Sequence, residues 1–175
     1  MTVTPTPTPS VPDGEFLRLD RQICFSLNSA SRAFGGLYRV LLKDLGLTYP
    51  QYLVMLVLWE HGALAVKELG VRLRLDSGTL SPLLKRMESA GLVRRERDAR
   101  DERSVRVHLT ERGDALRESA LGVPRRIAAA TGFDLDEIDD LRSRLDRLTR
   151  ALDAAEFDGG PGCGTEPEGR DLPRT

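Results

Sequence analysis

The stretch LDSGTLSPLLKRMESAGLVRRERDARDERSVRVHLT, residues 75–110, changes its hydrophobic period half-way along. In its first half Leu80, Leu84 and Met87 recur at helical spacing, with Asp76 placed to begin the helix and Gly91 to end it. In its second half residues 104–109 alternate apolar and polar side chains, as a half-buried strand does. Residues 92–97 are the expected partner strand, across the charged tip DARDE. The stretch therefore predicts a helix followed directly by a basic β-hairpin.

Upstream of this stretch the pattern is helical. Apolar residues recur at steps of three and four from Leu19 to Leu45, which predicts one long helix capped by Asp20 and ended by Gly46. Thr48 followed by Gln51 is a capping box, so a second helix is expected from there to about residue 60. A short helical segment, VKELGVRL (66–73), precedes the quoted stretch.

Two more helices are expected downstream, one spanning roughly residues 111–131 and one starting at Asp134. Glu137 completes a second capping box at the start of the last helix. The apolar stripe of that helix is close to a heptad seam. Its members are Leu135, Ile138, Leu141, Leu145, Leu148 and Leu152.

The order helix, short helix, helix and basic hairpin predicts a mainly α fold with a small β-wing, a winged helix-turn-helix. The folded domain is expected over residues 15–156, with its DNA-binding part at about 48–109. Residues 1–14 and 157–175 are rich in Thr, Pro and Gly and are predicted to be disordered tails. The first helix and the last two helices carry apolar stripes that little else in 175 residues can cover, so we expect a homodimer.

Charge and composition narrow the function. The net charge is −1, but residues 67–112 hold 12 Lys and Arg against 8 Asp and Glu, while residues 133–175 hold 6 against 12. Such a basic middle is a local electrostatic footprint. No apolar run approaches 18 residues and the start MTVTPTPTPSVP lacks signal-peptide features, so a cytoplasmic protein is expected. The two cysteines and two histidines match no metal-ligand spacing, and no metal or cofactor is expected.

The helix from Asp76 suits entry into the DNA major groove, because its outer face near the N-terminus is small and polar. Lys85 and Arg86 lie one turn further on, within reach of phosphates. The residues at the helix start are Ser77, Thr79, Ser81 and Pro82. The hairpin offers the minor groove Arg94, Arg95, Arg97, Arg100 and Arg103. The alternative is an ordinary helical domain with a solvated hairpin.

The quoted stretch resembles the recognition helix and wing of the MarR family of bacterial transcriptional regulators, including the wing sequence DER, which runs from Asp101 to Arg103. Residues 19–60, with CF near the start and LTYPQYL, resemble more narrowly the organic hydroperoxide resistance regulator branch. The resemblance implies a dimeric repressor that binds a pseudo-palindromic double-stranded operator. Asp101, Arg97, Arg100 and Arg103 then belong to the DNA-binding wing.

Cys24 has two possible roles, as a structural residue or as a reactive thiol. A lone cysteine on a helix is most often a small buried apolar side chain. Two features favour a reactive thiolate instead. Cys24 lies in the first turn of the predicted helix, where the helix dipole stabilises a negative charge, and Arg21 is near in sequence. In the proteins that this chain resembles, a hydroperoxide oxidises the matching thiolate, and tyrosines of the facing subunit donate hydrogen bonds to it. Tyr38 and Tyr49 occupy two such positions. At a third position, where the family has another tyrosine, this chain departs from the pattern and has Asn28.

Alternative functions remain open at this point. A thiol peroxidase also uses one cysteine, but no C-x-x-C or βαβ pattern is present, and we expect no enzyme. A MarR-type regulator responding to a small aromatic ligand is the nearer alternative. Some regulators of the branch form a disulfide with a cysteine on the helix matching residues 111–131, where this chain has none. We expect oxidised Cys24 to react instead with a small cellular thiol, with Cys163 dispensable.

Overall fold

The protein is described by a computed structural model over residues 13–97 and 104–155. Residues 1–12 and 156–175, which include most of both predicted tails, and the hairpin tip at 98–103 lie outside these described residues. Asp13 and Gly14, assigned to the first tail from the sequence, belong instead to a short helix. The helices and strands within them are α1 (Asp13–Phe16), α2 (Ile23–Leu41), α3 (Tyr49–His61), β1 (Leu64–Ala65), α4 (Val66–Leu73), α5 (Ser77–Ser89), β2 (Val93–Arg97), β3 (Val105–Leu109), α6 (Glu111–Ala120), α7 (Gly122–Thr131) and α8 (Leu135–Asp153).

Two compact units divide the chain after Thr131. The first contains α1 to α7 and the sheet, and its core is built around α3 and the inner face of α5. Tyr52, Met55 and Leu58 of α3 are nearly fully buried, as are Leu84 and Met87 of α5. The expected inward face of the α5 helix is therefore confirmed.

The helix-turn-helix and wing form as the sequence predicts. Thr48 and Gln51 make the capping box of α3, and Asp76 caps α5. Gly91 ends α5 with a φ of +69°, and Leu92 N–H then donates to Met87 O at 3.0 Å. This left-handed residue followed by a hydrogen bond back into the helix is the usual glycine C-cap, and it turns the chain directly into β2.

The sheet has one strand more than the sequence predicted. Its order is β1–β3–β2, so β3 is central, with Arg95 opposite Val107 on one side and Leu64 opposite Val107 on the other. The two-residue β1 follows α3 and was missed, because so short a segment carries no alternation of its own. β2 is left at an edge of the sheet.

The first long helix begins later than predicted. Residues 19–21 form a separate 3₁₀ turn, and α2 begins at Ile23. The expectation that Asp20 caps the helix is wrong, because Gln22 holds the N-cap position while Asp20 accepts hydrogen bonds from Arg18 at 2.7 and 3.0 Å. α2 itself ends at Leu41, and turns lead on to Gly46.

The helix predicted over residues 111–131 is two helices. α6 ends at Ala120 and α7 begins at Gly122, with the break at Leu121. Pro124 gives the physical reason, because its ring lacks an N–H and would collide with the carbonyl four residues earlier, that of Ala120.

A cluster of hydrogen bonds joins α6 to the wing and to α3. The Thr110 hydroxyl caps α6 by accepting from Gly113 N at 3.0 Å and donates to Gly91 O at 2.6 Å. Trp59 Nε1 donates to Gly113 O at 3.1 Å. Because Gly113 is buried against the carbonyl of Leu92, backbone packs on backbone here.

The second unit contains α8. Asp134 caps it, and Glu137 returns a hydrogen bond to Asp134 N at 2.9 Å, so the predicted capping box is confirmed. Within residues 132–155 there is no second helix against which the apolar stripe of α8 can pack.

Candidate nucleic-acid interface and cysteine site

The N-terminus of α5 is fixed by one carboxylate. Asp76 Oδ1 accepts from Thr79 N at 2.8 Å, and Asp76 Oδ2 accepts from the Thr79 hydroxyl at 2.9 Å. These hydrogen bonds from Thr79 hold the pKa of the Asp76 carboxyl below its ordinary value. The Thr79 hydroxyl proton is therefore engaged, and what Thr79 presents to the outside is its methyl group and an acceptor oxygen.

The structure places all the helix residues predicted to meet DNA on the exposed side of α5. They share a solvent-facing surface opposite the buried Leu80, Leu84 and Met87. The exposed members are Ser77, Thr79, Ser81, Pro82, Lys85 and Arg86. A small polar tip followed one turn later by two cations is the arrangement that major-groove entry requires.

Within the described strands of the wing, residues 93–97 and 105–109, two of the predicted DNA-binding arginines form ion pairs with glutamates. Arg94 forms an ion pair with Glu96 of its own strand, and Arg95 is hydrogen-bonded to Glu88 of α5. Arg97, at the end of β2, is exposed. The other predicted wing residues, Arg100, Asp101 and Arg103, lie outside the described residues.

A cleft of about 370 Å³ lies between the start of α4, the outer face of α5 and the wing. Lys67, Ser81, Arg95 and Ser104 contribute its polar lining. Lys67 is exposed and was missed by the sequence reasoning, because a lysine at the second position of a short helix has no distinguishing pattern. Because it lies beside the exposed face of α5 that is predicted to contact DNA, Lys67 is a further candidate for a phosphate contact.

Cys24 is exposed and is the second residue of α2. The structure thus gives it the first-turn position that the sequence suggested, although through a different cap. Gln22 makes no side-chain cap hydrogen bond, since its amide nitrogen donates to Phe16 O and, at 3.2 Å, to Arg18 O. The first N–H groups of a helix have no intrahelical acceptor, and together with the macrodipole they favour negative charge beside them.

Arg21 is not directed toward Cys24 as a free cation. Its guanidinium forms an ion pair with Glu15 at 3.2 Å. Asn28, one turn after Cys24 on the same helix, is exposed like the cysteine. The two side chains lie four residues apart and share one helix face.

The tyrosines form a group of their own. The Tyr38 and Tyr49 rings have centroids 4.4 Å apart, and Tyr52 lies 6.0 Å from Tyr38. Burial, with a smaller contribution from the neighbouring Tyr49, raises the pKa of Tyr38 to about 12. Tyr38 comes 14 residues after Cys24 on one helix, a separation of about 21 Å at the helical rise. The structure therefore does not bring Cys24 and Tyr38 of one protomer together.

Known proteins similar to this chain are transcriptional regulators. A profile of the family described as Transcriptional regulator SarA/Rot matches residues 36–119. The HTH-type transcriptional regulator TtmR of Methylorubrum extorquens (strain PA1) is 52% identical over 143 residues, which cover 79% of this chain and 73% of TtmR. The organic hydroperoxide resistance transcriptional regulator of Bacillus subtilis (strain 168) is 45% identical over 138 residues, 79% of this chain and 94% of that protein.

This chain belongs to the MarR family of transcriptional regulators, in the organic hydroperoxide resistance branch. Among solved structures it is similar to reduced AbfR bound to DNA, with 36% identity, a TM-score of 0.68 and coverage of 81% of this chain and 99% of AbfR. AbfR, a protein of Staphylococcus epidermidis, is also known in an overoxidised DNA-bound form and a disulfide form. The winged helix-turn-helix fold is confirmed, and this MarR-family chain is a DNA-binding regulator rather than an enzyme.

Metal-binding clusters and membrane-spanning helices are the features that would indicate other classes of function. Over residues 13–97 and 104–155, His, Cys, Asp and Glu side chains do not gather into a group that would hold a metal ion. None of the helices in the same part of the chain has the length and apolarity needed to cross a membrane.

Proposed function

We propose that this MarR-family regulator is a homodimeric repressor that binds a pseudo-palindromic operator while Cys24 is reduced. An organic hydroperoxide oxidises Cys24, and the repressor then leaves its operator. The observation that carries the proposal is an exposed cysteine in the first turn of α2. It occurs in a chain 45% identical to an organic hydroperoxide resistance regulator over 94% of that protein's length. The reduced, DNA-bound state known for AbfR supports the same view.

Dimerisation follows from apolar surface that a protomer leaves exposed. On α2, Ile23 is 63% exposed, Phe25 42% and Phe34 41%. Exposed apolar area of this kind marks an interaction surface. In the second unit the apolar stripe of α8 is exposed as well, with Leu141 at 42% and Leu152 at 60%. A two-fold dimer also gives two copies of α5, which can meet successive major grooves of one operator about 34 Å apart.

The proposed DNA contacts divide by chemistry. Ser77, Thr79 and Ser81 at the start of α5 face base edges, whereas Lys85 and Arg86 pair with phosphates. Arg97 and the wing residues beyond it enter the minor groove. Those further wing residues are Arg100, Asp101 and Arg103, with Pro82 completing the helix surface.

The chemistry at Cys24 is a two-electron oxidation. The thiolate attacks the terminal oxygen of the hydroperoxide, the O–O bond breaks, and the released alkoxide takes a proton to become an alcohol. Cys24 is left as a sulfenic acid. A small cellular thiol then displaces water from the sulfenic acid and forms a mixed disulfide with Cys24.

Tyr38 and Tyr49 are proposed to hydrogen-bond the Cys24 thiolate of the facing subunit. The 21 Å separation along α2 requires a second subunit for any such contact. Because the pKa of Tyr38 is raised to about 12, its hydroxyl keeps its proton at physiological pH and is a donor. Hydrogen bonds to a thiolate stabilise the charged, nucleophilic form.

The test is operator binding by the wild type and Cys24→Ser, with and without an organic hydroperoxide. The probe is a duplex selected from a random-sequence pool by the reduced wild-type protein. We expect equal binding when both proteins are reduced, and release of the wild type alone after oxidation with no other ligand present. Release of the serine variant at the same peroxide dose would contradict the proposal, and release that needs a small aromatic compound would favour the other type of MarR regulator.

Cys163 provides the second arm of that test. With a low-molecular-weight thiol present, the oxidised wild type and Cys163→Ser should both run as monomers on a non-reducing gel and carry one thiol adduct. A covalent dimer that requires both Cys24 and Cys163 would make Cys163 the resolving cysteine and overturn the one-cysteine scheme.

A further inference from the structure

Glu88 connects the recognition helix to the wing through three hydrogen bonds. Its Oε1 accepts from the backbone N–H of Arg95 at 3.0 Å. Its Oε2 accepts from Arg95 Nε at 2.9 Å and Arg95 Nη2 at 2.6 Å. The two side chains retain about a third of their accessibility, 35% for Glu88 and 32% for Arg95. The pair is therefore partly shielded and better ordered than an ordinary surface ion pair.

The hydrogen bond from the Arg95 backbone N–H shows which edge of the wing Glu88 binds. β2 is an edge strand, with β3 on one side only. Since Arg95 N–H donates to Glu88, it points away from β3 and toward the free edge of β2. An edge strand without such a partner leaves this donor to water, so Glu88 fastens the edge of the wing to α5.

Glu88 lies close to the point where the chain leaves α5 for the wing. Glu88 lies in the last turn of α5, three residues after Lys85. The chain between the helix and β2 reverses at Gly91, whose φ is +69°. The backbone hydrogen bond from Leu92 N to Met87 O closes this turn. The hydrogen bonds of Glu88 to Arg95 then join the end of the helix to the strand that follows the turn.

We propose that Glu88 is a positioning residue for DNA binding: it fixes the wing relative to α5, so that Arg97 meets the minor groove when α5 lies in the major groove. The inference rests on the proposed docking of helix and wing. Arg95 serves the same connection and is not a phosphate contact, although it is one of the five wing arginines. Leu92 and Val93, which directly follow the turn, are buried and keep the wing attached when the connection is removed, so its loss changes orientation and not the fold.

Charge and positioning predict opposite results when Glu88 is replaced by Ala. Removing a carboxylate and releasing Arg95 makes the surface more positive, which by itself tightens DNA binding. Loss of positioning weakens it, because the wing no longer presents Arg97 in register. We expect reduced Glu88→Ala to bind the selected operator at least about fivefold more weakly, the scale of one lost arginine contact. Glu88→Gln, which keeps an acceptor for Arg95 N–H, should fall between.

Glu96→Ala is the matched control. Glu96 is a carboxylate on the same strand, paired with Arg94 and not with α5. Its removal should leave operator affinity unchanged or tighter. A coupling measurement completes the design: Arg97→Ala should weaken binding about fivefold in the wild type and less than about twofold in the Glu88→Ala background.

Hydrogen exchange gives a readout that does not depend on DNA. The Arg95 amide should exchange faster in Glu88→Ala than in the wild type and at the wild-type rate in Glu96→Ala. Equal or tighter operator binding by Glu88→Ala, or a full Arg97→Ala effect in both backgrounds, would overturn the proposal. So would an unchanged Arg95 exchange rate. Peroxide-driven release through Cys24 should persist in Glu88→Ala, so a failure of the sensing proposal is recognisable separately.

Discussion

Replacing Gly113 by Ala tests how closely α6 packs against the turn that leads into the wing. Gly113 lies within α6, and alanine in place of glycine stabilises an exposed helix by up to about 1 kcal/mol. The structure predicts the opposite sign. A Cβ at this position would stand 2.1 Å from the carbonyl oxygen of Leu92 and 3.1 Å from its carbonyl carbon. Because carbon and oxygen approach to about 3.3 Å at closest, α6 and the turn before β2 must separate by roughly 1 Å.

That movement disturbs hydrogen bonds that hold the junction. Gly113 O accepts from Trp59 Nε1 at 3.1 Å in a buried setting, and Leu92 O accepts from Thr110 N at 3.1 Å. Overpacking of this kind costs about 1–3 kcal/mol, and a buried donor left unpaired costs about 1–3 kcal/mol. Allowing for partial relaxation, we expect Gly113→Ala to lower the free energy of unfolding by about 2–4 kcal/mol.

The assay is urea unfolding at one fixed protomer concentration, since association changes apparent stability. The midpoint should fall with an unchanged slope, and the melting temperature should drop by roughly 5–15 °C. Gly122→Ala is the control, because a Cβ there meets nothing within 4 Å, and it should be neutral or slightly stabilising. If the two variants had stabilities within about 0.5 kcal/mol of each other, the proposed backbone contact would not exist.

Three further predictions concern the binding surface and the tyrosines. Lys85→Ala should weaken binding about equally to operator and random duplexes and lower the salt slope by about one; an unchanged slope would exclude a phosphate contact. Thr79→Ser, which keeps the hydroxyl bound to Asp76 but removes the methyl group, should change base preference at one operator position in a selection experiment, with little effect on random DNA. In an ultraviolet titration Tyr38→Phe should lose the step near pH 12. Since the folded pKa of Tyr38 is above the unfolded value of 10.0, its stabilising contribution should be complete below pH 10 and lost as the pH rises through about 12.

Local patterns account for what the sequence predicted well. The caps of α3, α5 and α8 each depend on residues three apart, and the wing strands on alternation within six residues. Gly91 and its turn are equally local. These signals are set by backbone chemistry that a tertiary context seldom overrides.

Contacts between distant segments account for what the sequence did not predict. β1 exists because Leu64 and Ala65 pair with β3, which lies some forty residues further along. Gly113 reads as an ordinary helix residue until Leu92 is placed beside it. Arg95 was predicted to face DNA, as its basic neighbours were, and only the turn at Gly91 brings it to Glu88. For Cys24, the first-turn position was right although the cap was wrong, because the helix starts within three residues of the predicted point.

If oxidation of Cys24 is what releases DNA, the two events must follow the same time course. Reduced protein on the fluorescent operator duplex is treated with one equivalent of an organic hydroperoxide, and DNA release is followed while quenched samples are analysed by mass spectrometry. We expect the fraction of DNA released to follow the fraction of Cys24 that gains one oxygen, about 16 Da, or the corresponding thiol adduct. Release that runs ahead of modification at Cys24, or full modification with the operator still bound, would contradict it.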